Sequence, residues 1–281
     1  MKRFAMPIAL SMLCLILLSC AETVQTSEPL LEVVFLDVGQ GDSILLRVPS
    51  GDILIDAGTE ESQQTLCKKL RAYGVTELLL AIFTHPDEDH IGGADGVLSE
   101  FPTREIWVPP NDATNEAYLA LVAAAEEANS ALRYVTAGEL RKIDDVVLFT
   151  LSPMDTVFGD SNESSIVLKV TCGETSALFM GDAGEKTESA MLDAYGAAHL
   201  RCDLYKVGHH GSATSSSQRF LEDIDPEWAV ISCGEENPFG HPHGEVLKRL
   251  GEIGITVLRT DLLGDVVFAS DGERFLYVNQ D

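Results

Sequence analysis

Apolar residues fall along this chain in short blocks closed by glycine, aspartate or histidine, and blocks of that length predict strands. Residues 31–36 and 43–48 are two such blocks on either side of Asp37-Val38-Gly39-Gln40-Gly41-Asp42; residues 52–58 are a third, and the spacing predicts a meander. Residues 61–72 change to helical spacing, with Leu66, Leu70 and Tyr73 near one face and Gly74 as the stop. The run Leu78-Leu79-Leu80-Ala81-Ile82-Phe83 reads as a fully buried strand, and a helix is expected from Gly93 to Leu98. A strand at 105–108, a helix at 116–129 and strands near 132–135 and 146–151 follow. In the second half, strands at 165–171, 176–180, 203–207, 228–232 and 255–258 alternate with helices near 185–195, 216–224 and 244–252. Residues 265–269 and 274–278 form a closing hairpin around Ser270-Asp271-Gly272. Strands in blocks with interspersed helices predict an α/β (α+β) architecture, two sheets face to face with helices outside, in one domain over residues 31–281. An apolar share of 45% is ample for such a core.

Ahead of this domain stand Lys2 and Arg3, then an apolar run over residues 4–18 that is short for a membrane span and shaped as an export signal. Its ending, Leu17-Leu18-Ser19-Cys20, resembles a bacterial lipoprotein signal. That resemblance implies a signal peptide at residues 1–19, lipidation of Cys20 as the new N-terminus, and a polar tether over residues 20–30. The protein would then sit outside the cytoplasm, anchored to a bacterial membrane through its lipid. The formal charge is −26, so most of the surface repels polyanions and the basic footprint of a dedicated nucleic-acid binder is missing. A local cationic site stays open to the chain, because bound divalent metal reverses the potential inside a carboxylate-rich cleft. Of the six cysteines, Cys14 would leave with the signal and Cys20 would take the lipid. Cys67, Cys172, Cys202 and Cys233 are widely and irregularly spaced, with no C-x-x-C, which argues against a zinc ribbon and favours buried thiols over disulfides.

The chemistry gathers directly after the 78–83 strand, where Thr84-His85-Pro86-Asp87-Glu88-Asp89-His90-Ile91-Gly92-Gly93 places two histidines and two aspartates within six residues. Pro86 favours an extended His85. Imidazole and carboxylate together suit zinc, manganese or iron better than calcium, which prefers an all-oxygen shell. Two further strands end in the same way, one in Gly181-Asp182-Ala183-Gly184 and one in Gly208-His209-His210-Gly211-Ser212. A fourth cluster, Asn237-Pro238-Phe239-Gly240-His241-Pro242-His243-Gly244, follows the strand at 228–232. Six of the seven histidines lie in these clusters, with His199 outside them, a distribution that scattered structural histidines would not give. Side chains at the carboxyl ends of several strands can converge on one edge of a fold.

H-P-D-E-D-H, G-D-A and V-G-H-H-G-S, in this order, resemble the metallo-β-lactamase superfamily. F-L-D-V-G-Q-G-D-S at residues 35–43, N-P-F-G-H-P-H at 237–243 and R-T-D at 259–261 resemble the extracytoplasmic hydrolase domain of ComEC competence proteins. The resemblance implies a four-layer αββα sandwich with one or two divalent ions, Zn or Mn, between the sheets. Carried over residue by residue, the ligand motif falls on His85, Asp87, Asp89 and His90, so an aspartate stands where the second histidine is usual. The bridging carboxylate falls on Asp182 and the last histidine on His209, with His210 as the alternative. No histidine occurs between His90 and Asp182, where the superfamily has one; ComEC-like chains offer Asn162-Glu163-Ser164-Ser165 there, with Asp160 adjacent. One ion would then have His85, Asp87 and Asp182, and the other Asp89, His90, Asp182 and His209. The first site, richer in oxygen, would be the more open and would favour Mn²⁺.

Such ions would supply hydroxide at neutral pH and clamp the attacked group, which for a phosphodiester means in-line attack on phosphorus. Asp89, Lys206, His210, His241 and His243 form the candidate catalytic set, the last four to stabilise developing charge or to protonate the leaving oxygen. For Lys206 the alternative is a solvent-facing strand residue, and for His241 and His243 a cap on the helix near Gly244. Gln40, Gly41 and Asp42 are expected in a tight turn near the site, Asp42 as support. The expected activity is hydrolysis of phosphodiesters, with DNA among the candidate partners. Hydrolysis of another ester, lactone or lactam, and a non-catalytic DNA-uptake module, are the alternatives.

Overall fold

The strands follow one another as β1 (Leu31–Phe35), β2 (Ile44–Val48), β3 (Gly51–Ile55), β4 (Leu78–Ile82), β5 (Glu105–Val108), β6 (Ala131–Tyr134), β7 (Leu140–Ile143), β8 (Val146–Ser152), β9 (Val167–Cys172), β10 (Thr175–Phe179), β11 (Leu204–Lys206), β12 (Trp228–Ile231), β13 (Thr256–Arg259), β14 (Val266–Ser270) and β15 (Phe275–Val278). These come from a computed structural model that describes residues 29–154 and 160–278. The expected signal peptide with Cys14, Cys20 as the expected lipidation site, and most of the expected tether lie outside the described residues. Among those described, no helix is long and apolar enough to cross a membrane.

One sheet runs β15-β14-β1-β2-β3-β4-β5-β6 and the other β13-β12-β11-β10-β9-β8-β7. Alternation within the strands explains how they stack. Val33 and Phe35 of β1, Ile53 and Ile55 of β3, and Leu80 and Ile82 of β4 enter the cluster between the sheets, where they meet Leu168, Phe179, Val230 and Phe268. Their neighbours Val34, Leu54 and Ala81 face the opposite way, onto the helices Gln63–Ala72, Ala94–Glu100 and Glu116–Glu127. Leu178, Tyr205 and Ala229 of the second sheet likewise face Glu185–Tyr195, Gln218–Ile224 and Gly244–Ile253. Both faces of the central strands are therefore buried, which is why their sequences read as continuous apolar runs. The result is the expected αββα sandwich.

The expected strands and long helices are present with ends that differ by a few residues, and β1-β2-β3 is the antiparallel meander. Two features differ from the pattern. The block at 52–58 stops at Ile55, because Asp56 turns into the left-handed region (φ 58°). β7 was not expected: it is an edge strand of alternately exposed and half-buried residues, held by pairing to β8 rather than by apolar content. The closing hairpin β14-β15 docks on β1 and so completes the first sheet. Cys67, Cys172, Cys202 and Cys233 are free, buried thiols.

β3-β4-β5-β6 and β10-β11-β12-β13 are parallel runs. Their carboxyl ends, where sheets of this kind place their sites, carry the histidine and aspartate clusters.

Candidate metal centre

β4 leads directly into Thr84 and His85, and the short helix Glu88–Ile91 that follows carries Asp89 and His90. β10 ends just before Asp182, and β11 just before the turn Gly208–Gly211. Donor atoms of His85, His90 and Asp182 lie within 4.8 Å of one another, as do those of Asp89, His90 and His210. His210 Nε2 is 3.3 Å from Asp89 Oδ2, 3.2 Å from His90 Nε2 and 3.5 Å from Asp182 Oδ1. On the other flank, His85 Nε2 is 3.7 Å from Asp87 Oδ2 and 4.0 Å from Asp182 Oδ2. Asp182 stands between the two groups.

Each of these imidazoles is held from behind. His90 Nδ1 donates to Asp56 Oδ2 at 2.8 Å, and the Thr84 hydroxyl donates to the same oxygen at 2.7 Å. The Thr84 oxygen in turn accepts from His85 Nδ1 at 3.1 Å, while the Thr84 N–H reaches Asp56 Oδ1. His210 Nδ1 donates to the Ser232 carbonyl at 2.9 Å. With Nδ1 committed in this way, each ring turns Nε2 to the common centre, the nitrogen that a metal would take once it is free of a proton. His85 Nε2 is buried without a hydrogen-bond partner, and buried Asp182 Oδ1 faces the Nε2 atoms of His90 (3.1 Å) and His210 (3.5 Å), two further candidate ligands. Buried polar atoms are rarely left so, and a cation among these donors fits them.

The sequence matches the metallo-beta-lactamase superfamily over residues 36–235. The chain belongs to this superfamily. It is similar to ComE operon protein 3 of Bacillus subtilis (strain 168), 32% identical over 84% of this chain and 33% of that protein. It is also similar to competence protein ComA of Neisseria gonorrhoeae, 35% identical over 84% of this chain and 32% of that one. The chain thus spans about a third of the length of these curated relatives. Among solved structures, the metallo-beta-lactamase fold protein YhfI from Bacillus subtilis superposes with a TM-score of 0.54 at 11% identity, covering 81% of this chain and 95% of that one, and so shares the fold.

Within the superfamily's ligand pattern, the structure sorts the expected residues into three places. His85, His90, Asp182 and His210 are buried, with Asp89 beside them. His209, preferred over His210 in the sequence, is instead at the rim: its side chain is 27% exposed and Nε2 is 3.6 Å from Asp182 Oδ2. Two successive left-handed residues, His209 (φ 47°) and His210 (φ 52°), swing His210 inward. Asp87 also lies at the rim, where it accepts a hydrogen bond from Ser161 at 2.9 Å. Of the segment expected to replace the missing histidine, Ser165 Oγ accepts the Asp182 N–H at 3.3 Å and Asp160 accepts the Asn162 N–H at 3.1 Å.

Lys206 neither faces solvent nor reaches the mouth of the site. It is buried, ion-paired to Asp42, and donates to the Gly181 carbonyl at 3.1 Å. It can act on the centre only through Asp42, which lies 3.5 Å from His210 Nδ1 and 3.8 Å from His90 Nδ1. The Gln40–Asp42 turn does abut the site: a side chain at Gly41 (φ 127°) would collide with the Asp89 carbonyl, the group that accepts the Asp42 N–H. His243 does not cap its helix through its side chain; Nδ1 accepts the Ala213 N–H at 2.9 Å. His241 packs edge-on against His209 and His243, with ring centroids 5.5 and 4.9 Å away. Asp56 was not singled out in the sequence, although it too follows a buried strand and precedes a small residue and a glycine, the same signature as Asp182.

Charges in the cluster hold one another. Burial alone would lower His210, but Asp182 and Asp42 outweigh it and hold its pKa up at about 10. His90 is likewise raised against burial by Asp182 and Asp56. Asp182 is held well below the usual carboxylate value by His90 and His210, although burial opposes this. His85, buried and beside His90, is depressed to about 3 and stays neutral. A divalent ion would take the place of the protons on His90 and His210, since metal ligands bind deprotonated. Asp89, His90 and His210 could hold it on one flank and His85 and Asp87 on the other, with Asp182 shared.

Proposed function

We propose that the chain is an extracytoplasmic, metal-dependent hydrolase of phosphodiesters, nucleic acid among them. The observation that carries this reading is the convergence of three Nδ1-anchored imidazoles and two aspartates on one centre, with the buried His85 Nε2 left unbonded. Bound divalent ions would acidify a coordinated water and offset charge on the attacked group. The oxygen-rich flank at Asp87 suits Mn²⁺ as well as Zn²⁺, and the first ligand set, with His85 as its one histidine, lacks the three neutral histidines expected of a lactamase. The competence-protein names of the relatives support a phosphodiester rather than a lactam. Export by residues 1–19 and anchoring through Cys20 belong to the same proposal.

The chain's own groups divide the work. Asp89 and Asp182 supply negative charge that fixes the centre, and the Thr84-Asp56 pair keeps His85 and His90 from rotating. His243, whose Nδ1 is taken by Ala213, carries its proton on Nε2 and can give it to a leaving oxygen. His241, lowered to about 4 by burial and by the neighbouring His210 and His209, is neutral at pH 7 and serves as a hydrogen-bonding partner rather than a charge. An open groove of about 450 Å³ beside Asp87, lined by Pro86, Asn111, Asn115 and Ser161, gives a strand room to lie.

The test is turnover of bis(p-nitrophenyl) phosphate by the full-length chain, stripped with chelator and restored with Mn²⁺ or Zn²⁺, beside Asp182→Ala. Activity should return with metal and be absent in the variant. The missing histidine between His90 and Asp182 favours a second reading, a non-catalytic module, and a folded, metal-loaded chain without turnover would establish it over the hydrolase.

A further inference from the structure

Residues 237–243 form a loop at the rim of the site, and its shape is built rather than incidental. The Asn237 side chain ties it three times: Oδ1 accepts the His241 N–H at 3.0 Å, and Nδ2 donates to the carbonyls of Gly234 at 3.0 Å and His241 at 2.6 Å. So held, the loop sets up a ladder of near-parallel rings. The Phe239 ring lies 5.7 Å from that of His241 at 24°, and His241 lies 6.3 Å from His210 at 27°, spacings typical of offset aromatic pairs. The ladder starts at an imidazole of the ligand cluster and ends at Phe239, which is 59% exposed.

The outer face of Phe239 is an open end of a stack, and what extends such a stack is another flat ring. The surrounding charge argues for the same conclusion. A chain of net charge −26, with Glu235 and Glu236 exposed just before the loop, offers a polyanion little attraction through its phosphates away from bound metal. Stacking is attraction that survives this repulsion, and it tolerates any base because every base has a π-face. We infer that Phe239, backed by His241, is a stacking platform for a nucleobase of the strand being cut, placed two ring steps from His210. This rests on the phosphodiesterase reading and narrows it: the substrate is a nucleic acid or oligonucleotide with an unpaired base next to the scissile bond.

The test is fluorescence anisotropy of the full-length chain in detergent with a fluorescein-labelled hexathymidylate and with an abasic hexamer of equal charge and label, in EDTA and in Ca²⁺. The wild type should bind the base-bearing strand about tenfold tighter than the abasic one in at least one condition. Phe239→Leu, apolar but not aromatic, should erase the difference, and Phe239→Trp should keep it. Equal binding of the two strands in both conditions, or an undiminished preference in Phe239→Leu, overturns the platform. Failure of the broader reading is separate: it shows as absent metal-dependent turnover of bis(p-nitrophenyl) phosphate, whatever the two hexamers do.

Discussion

On the inner side of Asp182, His90 and His210 are buried and each is held at Nδ1 by a group that is itself buried, Asp56 or the Ser232 carbonyl. On the outer side, the Asp87 side chain is 42% exposed and takes one serine hydroxyl, and His209 keeps a quarter of its surface in solvent with one long contact to Thr214. The same motif supplies both sides, His85 to His90 within one turn of chain. What differs is the support behind each ligand. The inner donors are positioned before any ion arrives, which lowers the cost of binding one. Asp87 and His209 can move with substrate, as a site that must admit a bulky diester requires, while His85 on the same flank is buried and held by Thr84.

Three changes should break or sharpen this contrast. The largest effect is expected from Lys206→Met, which strands the buried Asp42 carboxylate beneath both inner histidines. Removing one partner of a buried pair costs about 3–5 kcal/mol, readable by urea denaturation. Burial alone would raise Asp42, but Lys206 and His210 hold it down at about 2 against a usual 3.8. Its contribution to stability is therefore complete above the usual value and is lost as the pH falls through about 2. Without Lys206 the carboxyl titrates higher, and acid unfolding should begin at a higher pH.

Asp56→Asn should come next. An amide that donates where the carboxylate accepted drives the His90 proton to Nε2, the face turned to the centre. Metal affinity should fall about 10- to 100-fold, as calorimetric titration with Mn²⁺ or Zn²⁺ would register, with the apolar core untouched. The smallest effect is expected from Asp87→Asn on the open flank, at or below about tenfold in affinity, the lower end for groups around a metal. Metal retained after dialysis should then fall on that flank alone, leaving the inner ion bound. An Asp87 variant that lost metal as completely as Asp182→Ala would erase the distinction between the two sides.

The sandwich was legible in the sequence because its central strands are covered on both faces and so stand out as unbroken apolar runs. β7 has no such cover, and nothing in Leu140-Arg141-Lys142-Ile143 marks it apart from a loop. Within the site, the strand-end grammar exposed His85, His90 and Asp182. The choice between His209 and His210 was not readable, since it turns on two consecutive left-handed residues that sequence reading does not assign. Asp56 escaped notice because a lone carboxylate at a strand end looks like a turn residue until the imidazole it serves is seen 34 positions away. Lys206 was expected either to act on the reacting group or to face solvent, and it does neither, because the buried aspartate that pairs with it lies far back in the chain, out of reach of any local pattern.

His85, Asp89 and His90 belong to the first sheet's strand ends, and Asp182 and His210 to the second's. An ion gripped by both sets would be a rivet through the open edge of the sandwich, added to the apolar packing between the layers and to polar ties such as Thr175 to Ser270 and Arg141 to Glu105. The supply of metal would then govern how long the two sheets stay in register as well as whether the chain can react, because whatever binds the folded form alone deepens its stability by mass action. Starved of metal, such a protein would first come apart at its working edge.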